Sequence, residues 1–427
     1  MRTRFLVSLA IADIVALALA VTSASWAVFQ TWPWNAPPDS TETLWPLIGF
    51  FFVGGVTGTA LTSQSWRHSA PRPSYGRALT IVSIATVVAA MLLIVTDAYR
   101  SRLFFALVPV IWFLVAASHR AWWRHRPWSE RMIVVADERG LVDELRKAPH
   151  AEVLRILKPT DQAPDLPPET GVVLIIDLRS VLGESMAQYV SSCSIGGTKV
   201  RALTTVYEEH TGRFPLVHLA EGWELRIPAS RSTTYQLLKV WIDKILVLFT
   251  AWLWIPMAAA IWVLIRLDSP GKAIFRQERV GRNGQVFVLR KFRTMVYDAD
   301  STGARMTTVE DDRITRVGRH LRRFRVDEIP QLWNVLVGEQ SLVGPRPEQV
   351  PIVELFRDEI PYYEQRHLVR PGVTGWAQVH YGYADDQADT IEKLAFDLYY
   401  VKNLSPWTDL HVLLKSIWTV LSGFGHQ

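Results

Sequence analysis

The chain has 427 residues, enough for two or three domains, and 49% of them are hydrophobic. Together with a mean hydropathy of +0.11, this share is high for a soluble protein and indicates a membrane protein with soluble parts. The single cysteine, Cys193, excludes an internal disulfide and a metal site built from several thiolates. The net charge of +5 suits anionic lipid headgroups or phosphorylated substrates and does not choose between them.

Four long runs with few or no charges predict four transmembrane helices within residues 1–122. Each run supplies most of the ~20 apolar residues that a spanning helix needs. Arginines are frequent after the second and fourth runs and scarce after the first and third. The positive-inside rule therefore predicts that the N-terminus and everything after residue 120 are cytoplasmic. The runs lie between Arg4 and Asp39, Glu42 and Arg67, Arg77 and Asp97, and Arg102 and His119.

The first run contains one charge, Asp13. An ionisable residue in hydrocarbon is costly and often functional. An equally good reading is that Asp13 faces a neighbouring helix or the membrane interface.

The segment at 131–225 alternates apolar, strand-like runs with stretches of helical spacing, which predicts a small parallel sheet with crossover helices. A Rossmann-type nucleotide site would need a glycine-rich turn after the first strand. Here that turn reads "ADERG", and its two carboxylates would repel phosphate. The segment is therefore predicted to be a Rossmann-like α/β domain that lacks the glycine-rich loop and is structural or oligomerising.

Residues 245–265 are uncharged and long enough to cross a membrane, but Pro256 lies in the middle and should kink a helix. Both flanks are basic, with Lys239 and Lys244 before the run and Arg266 and Lys272 after it. Two cytoplasmic-type flanks favour a re-entrant helix at 237–266 that returns on the same side. A full crossing is the alternative.

Apolar residues alternate on both sides of Arg282-Asn283-Gly284, and Asn-Gly is a strong β-hairpin signal. The hairpin is either a solvated basic face, which composition favours, or a cradle for a polyphosphate. Its basic residues are Arg276, Arg279, Arg282, Arg290, Lys291 and Arg293. A second basic face suited to lipid phosphates is predicted where arginines recur every three residues, at Arg313, Arg316, Arg319 and Arg322.

Asp327 and Glu328 open a predicted helix, with Pro330 in the first turn and Gly338 as a natural stop. In most chains, such a pair of carboxylates is a helix cap. The same helix N-terminus is also a good phosphate site, and its field keeps a carboxylate ionised and able to attack.

The Gly-Pro-Arg-Pro run at 344–347 holds Arg346, which is always charged, on a stiff backbone. An ionised nucleophile, a second acid for a divalent cation and a rigid arginine are the parts that phosphoryl transfer needs. The pair at Asp327 and Glu328 therefore has a catalytic reading beside the capping one.

Four stretches resemble the bacterial polyprenyl-phosphate glycosylphosphotransferases, or sugar transferases. They are "KFRTM", "VDEIPQLWNVLVGEQSLVGPRPE", "VRPGVTGWAQV" and "FDLYYVKNLSPWTDL". The resemblance runs from about Lys239 to the C-terminus. Upstream, four spans and a degenerate nucleotide-fold domain are similar to the large members of the family. The resemblance implies an α+β membrane protein whose catalytic domain, at 236–427, is membrane-associated and carries the re-entrant helix.

The resemblance implies transfer of a sugar 1-phosphate from a nucleoside diphosphate sugar, usually a UDP-sugar, to undecaprenyl phosphate. UMP is released through a covalent aspartyl-phosphosugar intermediate, in the first membrane step of exopolysaccharide, capsule or O-antigen synthesis. It further implies a multi-pass protein of the bacterial inner membrane with its catalytic domain on the cytoplasmic face, in contact with membrane lipids. A homodimer through the middle segment is expected, and nucleic acid is not.

Family roles carry over to matching positions in this sequence. Asp327 matches the nucleophile, Glu328 the residue that helps to hold Mg²⁺, and Arg346 the arginine that grips a nucleotide phosphate. The remaining matches are Lys291, Arg293 and Arg370 for substrate phosphates and Pro256 for the break in the re-entrant helix. Two positions depart from the family pattern: Val240 stands where an arginine is common, and Ile329 replaces a leucine.

The identity of the sugar stays open, because the motifs address phosphates and nucleotide. Two other functions also remain open at this point. One is a non-catalytic membrane receptor or scaffold, and the other is a glycosyltransferase that moves the sugar alone and releases UDP.

Overall fold

A computed structural model describes most of the chain. The described residues are 2–35, 44–63, 75–96, 101–124, 129–137, 139–165, 167–169, 171–216, 233–296, 313–381 and 387–422. They form two compact units, Met1–Ser129 and Glu130–Gln427.

The first unit consists of helices at the four predicted spans. They are α1 (Arg2–Phe29), α2 (Trp45–Ser63), α3 (Tyr75–Thr96) and α4 (Arg102–Arg124). Three of them, α1, α3 and α4, are long and apolar enough to cross a membrane, while the described apolar part of α2, Trp45–Thr59, is shorter. Glycines let α2 approach α3 closely, because a Cβ at Gly54 would lie 2.5 Å from the backbone of Ala85.

Asp13 faces a neighbouring helix. The guanidinium of Arg120 on α4 donates to both of its carboxylate oxygens, at 2.7 and 2.8 Å. The indole of Trp112 also donates to the Asp13 carbonyl, at 3.1 Å. The second reading of Asp13 is therefore the one that the structure supports, since a buried charge needs such a partner.

The second unit begins with an α/β segment whose four parallel strands have the order β2-β1-β3-β4. Helices α5 and α7 pack on one face of this sheet and α6 packs on the other. The predicted parallel sheet is confirmed, whereas the Rossmann-like assignment stays a prediction, and residues 217–225 of the predicted domain lie outside the described ranges. The elements are β1 (Glu130–Val135), α5 (Gly140–Lys147), β2 (Ala151–Leu157), β3 (Val173–Ile176), α6 (Glu184–Ile195), β4 (Val200–Ala202) and α7 (Leu203–Thr211).

The rest of the second unit contains a β-hairpin and a short parallel strand pair surrounded by helices. The hairpin is β5 (Ile274–Val280) with β6 (Val286–Phe292), and the parallel pair is β7 (Ser341–Val343) with β8 (Gly372–Thr374). The helices are α8 (Thr233–Phe249), α9 (Ala251–Asp268), α10 (Arg316–Arg323), α11 (Gln331–Val337), α12 (Val350–Glu359), α13 (Trp376–His380), α14 (Gln387–Lys402) and α15 (Pro406–Ser422).

The predicted hairpin is confirmed. Asn283 and Gly284 have φ of 55° and 76°, the left-handed conformation that a tight hairpin turn requires and that these two residues tolerate best. Strand alternation divides the basic residues between two faces. Arg279 and Lys291 lie on one face of the hairpin, and Arg276 lies on the other.

The break between α8 and α9 lies at Thr250, not at the predicted Pro256. Helix α8 ends at Phe249, α9 begins at Ala251, and Pro256 lies inside α9. The Leu246 carbonyl accepts both the Thr250 hydroxyl, at 2.9 Å, and the Thr250 amide, at 3.1 Å. The Trp254 indole donates to the Val247 carbonyl at 3.0 Å, which satisfies an acceptor next to the interruption.

The predicted row of arginines is split by the structure. Arg316 and Arg319 are exposed on α10, while Arg313 precedes the helix. Arg322 is partly buried and donates through Nε to the Thr294 hydroxyl at 2.9 Å. Only part of the row therefore forms an exposed basic face.

Candidate active site

One pocket collects the carboxylate pair and several cations from four separate parts of the chain. Strands β5 and β6, the turn before α11, the start of α11 and the Gly-Pro-Arg-Pro run each contribute to it. The pocket is lined by Arg279, Leu289, Lys291, Asp327, Glu328, Gln331, Arg346 and Pro347.

Neither carboxylate of the pair caps α11. Asp327 and Glu328 lie in a 3₁₀ turn, Val326–Glu328, and Pro330 occupies the N-cap position of α11 without a side-chain cap hydrogen bond. The capping interpretation was therefore wrong, because α11 begins four residues after Asp327, too late for its side chain to serve the first turn. Gly338 ends the helix with φ of 89°, as predicted.

Burial dominates the electrostatics of Asp327. Burial, and then the charge of Glu328, raises the pKa of Asp327 to about 6, although Lys291 and Arg346 act in the opposite direction. The helix field was expected to keep this carboxylate ionised, and burial acts against that expectation. A pKa of about 6 still leaves Asp327 mainly ionised at neutral pH, so that it can act as a nucleophile.

The basic side chains of the pocket crowd one another. Burial and the nearby Arg279 lower the pKa of Lys291 to about 8. Burial also lowers the pKa of Arg279 to about 10, with Arg346 contributing in the same direction. A polyanion between these three cations would relieve their mutual repulsion, so the pocket suits a ligand with several negative charges.

Arg346 reaches across the pocket to the carboxylate pair. Its Nη1 donates to Glu328 Oε1 at 3.0 Å. The Gly-Pro-Arg-Pro run that carries Arg346 begins directly after β7 and lies against the backbone that leads into β8. A Cβ at Gly344 would lie 2.3 Å from the Arg370 carbonyl. Glycine is the one residue type that permits this approach.

Two residues expected at the substrate phosphates lie elsewhere. Arg293 is buried at the end of β6 and donates to the carbonyls of Pro270 and Ser269, at 2.6 and 2.8 Å. Arg370 donates to the Gly338 carbonyl at 3.0 Å and lines a second cavity at the base of α8. The cations that line the pocket with Asp327 are Arg279, Lys291 and Arg346. Arg293 and Arg370 lie outside this pocket.

Gln331 was missed from the sequence, and Arg279 was noted only as part of the basic hairpin. Gln331 is buried, and its Oε1 accepts from Gln340 Nε2 at 3.2 Å. Its spacing of four residues from Asp327 was a usable signal. For Arg279, strand alternation was the signal, since it shares a hairpin face with Lys291.

The fold and the pocket define a membrane-associated α/β protein with a carboxylate pair in a cationic site. A family model described as bacterial sugar transferase matches residues 234–423. The chain belongs to this family, the bacterial polyprenyl-phosphate glycosylphosphotransferases, which confirms the resemblance of the four motifs.

Of three curated relatives, two are named as transferases of a sugar phosphate, and the third is named for exopolysaccharide production. The UDP-N-acetylgalactosamine-undecaprenyl-phosphate N-acetylgalactosaminephosphotransferase of Aeromonas hydrophila is 40% identical over 60% of this chain and 62% of its own length. The UDP-glucose:undecaprenyl-phosphate glucose-1-phosphate transferase of Xanthomonas campestris pv. campestris is 38% identical over 50% and 44%. Exopolysaccharide production protein PSS of Rhizobium leguminosarum bv. phaseoli is 42% identical over 38% and 84%. The chain thus spans less than two thirds of the first two relatives.

Proposed function

We propose that this protein transfers a sugar 1-phosphate from a UDP-sugar to undecaprenyl phosphate and releases UMP. The names of the Aeromonas and Xanthomonas relatives support this reaction. The observation that carries it is the pocket in which Asp327 and Glu328 meet Lys291, Arg279 and Arg346. The reaction would be the first membrane step of a polysaccharide pathway, and the name of the Rhizobium relative favours exopolysaccharide over capsule or O-antigen.

In the first step, a carboxylate oxygen of Asp327 attacks the phosphorus that bears the sugar. The bond from this phosphorus to the bridging oxygen breaks, and UMP leaves with the electron pair. The product on the protein is an acyl phosphodiester between Asp327 and the sugar. Lys291 and Arg346, which line the pocket, would stabilise the charge that builds up on the phosphoryl oxygens.

In the second step, a phosphate oxygen of undecaprenyl phosphate attacks the same phosphorus. The bond to Asp327 breaks, the carboxylate is regenerated, and the polyprenyl diphosphate sugar is released. Two displacements through one covalent intermediate imply ping-pong kinetics.

The carboxylate pair fits a Mg²⁺ site that substrate completes. Among the described residues there is no group of three or more His, Cys, Asp or Glu side chains that could hold a metal ion. Mg²⁺ is usually bound through one or two carboxylates, with substrate phosphates and water as the other ligands. Glu328 would hold the ion, which when bound offsets the charge of the diphosphate.

The helix pair α8–α9 is proposed to enter the membrane and return. The base of α8 is tied to the domain, since Lys239 Nζ lies 2.5 Å from Asp409 and Ser341 Oγ donates to Asp243 at 2.6 Å. The far half of α9 packs on the same domain through Ile261 and Ile265.

The junction between these helices is apolar and open. Phe249 and Trp252, which flank Thr250, are each 74% exposed, an arrangement that suits lipid and not water. Because both ends of the pair are held by the same domain, these contacts support a path that enters and leaves on one side of the membrane. With the loop charges, this supports a catalytic domain on the cytoplasmic face of the inner membrane, in contact with its lipids. The homodimer stays a prediction.

The test uses the full-length protein with Mg²⁺, undecaprenyl phosphate and a panel of UDP-sugars that includes UDP-glucose and UDP-N-acetylgalactosamine. Chromatography of the released nucleotide should show UMP with at least one donor. Release of UDP would indicate a glycosyltransferase, and no release with any donor would contradict the proposal. Asp327→Asn should abolish UMP release, whereas the matched control Asp358→Asn, at an exposed position on α12, should not.

A further inference from the structure

The backbone that carries Arg346 is held at four consecutive carbonyls. Each carbonyl from residue 345 to residue 348 accepts a hydrogen bond, at 2.9 to 3.0 Å. Two of the donors are backbone amides and two are arginine side chains. In chain order the donors are Gly372 N, Arg366 Nη2, Arg279 Nη1 and Val280 N.

Arg366 supplies the bond at Arg346 itself. It is buried, and its Nη2 donates both to the Arg346 carbonyl at 3.0 Å and to Asp397 Oδ2 at 2.7 Å. Its Nη1 donates to the Tyr363 hydroxyl at 2.7 Å. A planar fork can hold three such partners at fixed angles, and a lysine ammonium cannot reproduce this geometry.

A buried apolar cluster connects Tyr363 to the α/β segment. Tyr363 belongs to a buried cluster that includes Phe214, from the stretch at 212–216 that follows α7. This stretch, the docking segment, is fixed by several bonds to the catalytic part. The Phe214 amide donates to the Ala395 carbonyl at 2.9 Å, and Trp376 Nε1 donates to the Gly212 carbonyl at 2.9 Å.

Charged pairs reinforce the same contact. Lys402 Nζ donates to both carboxylate oxygens of Glu208 on α7, at 2.7 and 2.9 Å. Arg213 lies 2.6 Å from Glu392 on α14. The α/β segment is thus anchored beside the buried cluster that contains Tyr363, and the Tyr363 hydroxyl is two hydrogen bonds from the Arg346 backbone.

We propose that Arg366 is a positioning residue, which sets Arg346 for phosphate binding, and that the docking segment stabilises it through Phe214 and Tyr363. The α/β segment then has a role in catalysis without a ligand of its own: it supports the arginine that grips the substrate. This inference rests on the proposed function.

Arg366→Lys in the full-length protein tests the positioning role. The KM for the UDP-sugar should rise about 10-fold while kcat changes less, because the displaced Arg346 weakens substrate binding. Arg357→Lys is the matched control, since Arg357 is an exposed arginine that forms an ion pair with Glu364. In an Arg346→Ala background, Arg366→Lys should add almost nothing to KM, because the two residues act as a unit.

Phe214→Ala tests the link to the α/β segment and should raise KM in the same direction. Phe214→Leu should restore most of the wild-type KM, and it keeps the test decisive where the alanine variant does not fold. A lower Tm with unchanged KM in Arg366→Lys, or effects that multiply in the Arg346→Ala background, would overturn the inference.

If the wild type releases no UMP, the proposed function fails separately. The affinity of each variant for UDP is then measured by titration in the presence of Mg²⁺. Weaker UDP binding by both Arg366→Lys and Arg346→Ala would support the inference, and wild-type affinity in Arg366→Lys would overturn it.

Discussion

Arg346 and Glu328 are 18 residues apart and form an ion pair across the pocket, with Nη1 3.0 Å from Oε1. This ion pair joins the guanidinium of Arg346 to the carboxylate of Glu328, and the proposed reaction must separate these two groups. A diphosphate would take the guanidinium, and a divalent cation would take the carboxylate. Binding of the donor should therefore depend on binding of the cation, and the reverse. The donor takes Arg346 away from Glu328 and leaves this carboxylate to the cation, while the cation takes Glu328 away from Arg346.

Asp327→Asn should reduce the rate of UMP release by about 10³-fold or more, because the amide cannot attack phosphorus. A second readout tests the covalent step. With a sugar-labelled donor and no lipid acceptor, the wild-type protein should retain label after denaturation and Asp327→Asn should retain none. Equal labelling of both proteins would contradict the assignment of the nucleophile.

The pH dependence of kcat/KM should be bell-shaped, because it reports the free enzyme. Asp327 must be ionised, so the rate falls as pH drops through its pKa of about 6. Lys291 must be charged to bind phosphate, so the rate also falls as pH rises through its pKa of about 8. Lys291→Arg should abolish the alkaline decline, since arginine stays charged. A decline that persists in this variant would assign it to another group.

Features set by neighbouring residues could be predicted from the sequence. The Asn283-Gly284 turn and the stop at Gly338 depend on local backbone conformation, and both were found as expected. The approach of Arg346 to the carboxylate pair is a tertiary contact. This contact between distant parts of the chain was predicted because the motifs resemble those of a known family.

Features set by burial or by distant partners could not be predicted. Arg293 and Arg370 carry the same charge as Lys291, but backbone carbonyls 23 and 32 residues away bind them. The raised pKa of Asp327 comes first from burial, which the local sequence does not record. The helix break lies at Thr250, whereas α9 accommodates Pro256 in its interior, so the local signal of the proline did not locate the break.

Glu328→Gln should change both the Mg²⁺ requirement and the pH dependence of the reaction. The Mg²⁺ concentration for half-maximal activity should rise about 10-fold, because a charged ligand is lost. The acid limb of the pH profile should move below 6, because the charge of Glu328 is one cause of the raised pKa of Asp327. Glu354→Gln, an exposed glutamate on α12, serves as control. An unchanged Mg²⁺ requirement would argue against Glu328 as the metal ligand.

Arg293→Lys should lower stability and leave the KM for the UDP-sugar unchanged. Arg293 ties the turn after α9 through bonds to Ser269 and Pro270, and each lost bond from a charged donor costs about 1.5–3 kcal/mol. Thermal unfolding should show a lower Tm. Lys291→Met should behave in the opposite way, with a raised KM and a smaller change in Tm. A raised KM with unchanged Tm in Arg293→Lys would return that residue to the substrate site.

The proposal that α8–α9 enters the membrane and returns can be tested with single cysteines in a Cys193→Ser background, since the chain has one native cysteine. Leu237→Cys and Leu267→Cys, both at exposed positions, should react with a membrane-impermeant maleimide from the cytoplasmic side.

Trp252→Cys, beside the junction, should be protected from the maleimide on both sides, because lipid covers it. Labelling of positions 237 and 267 from opposite sides would instead show a full crossing. Pro256→Ala should leave the same-side pattern intact, because the interruption lies at Thr250 and its hydroxyl bonds do not involve the proline. If Pro256→Ala converts the pattern to a crossing, the proline and not Thr250 sets the turn.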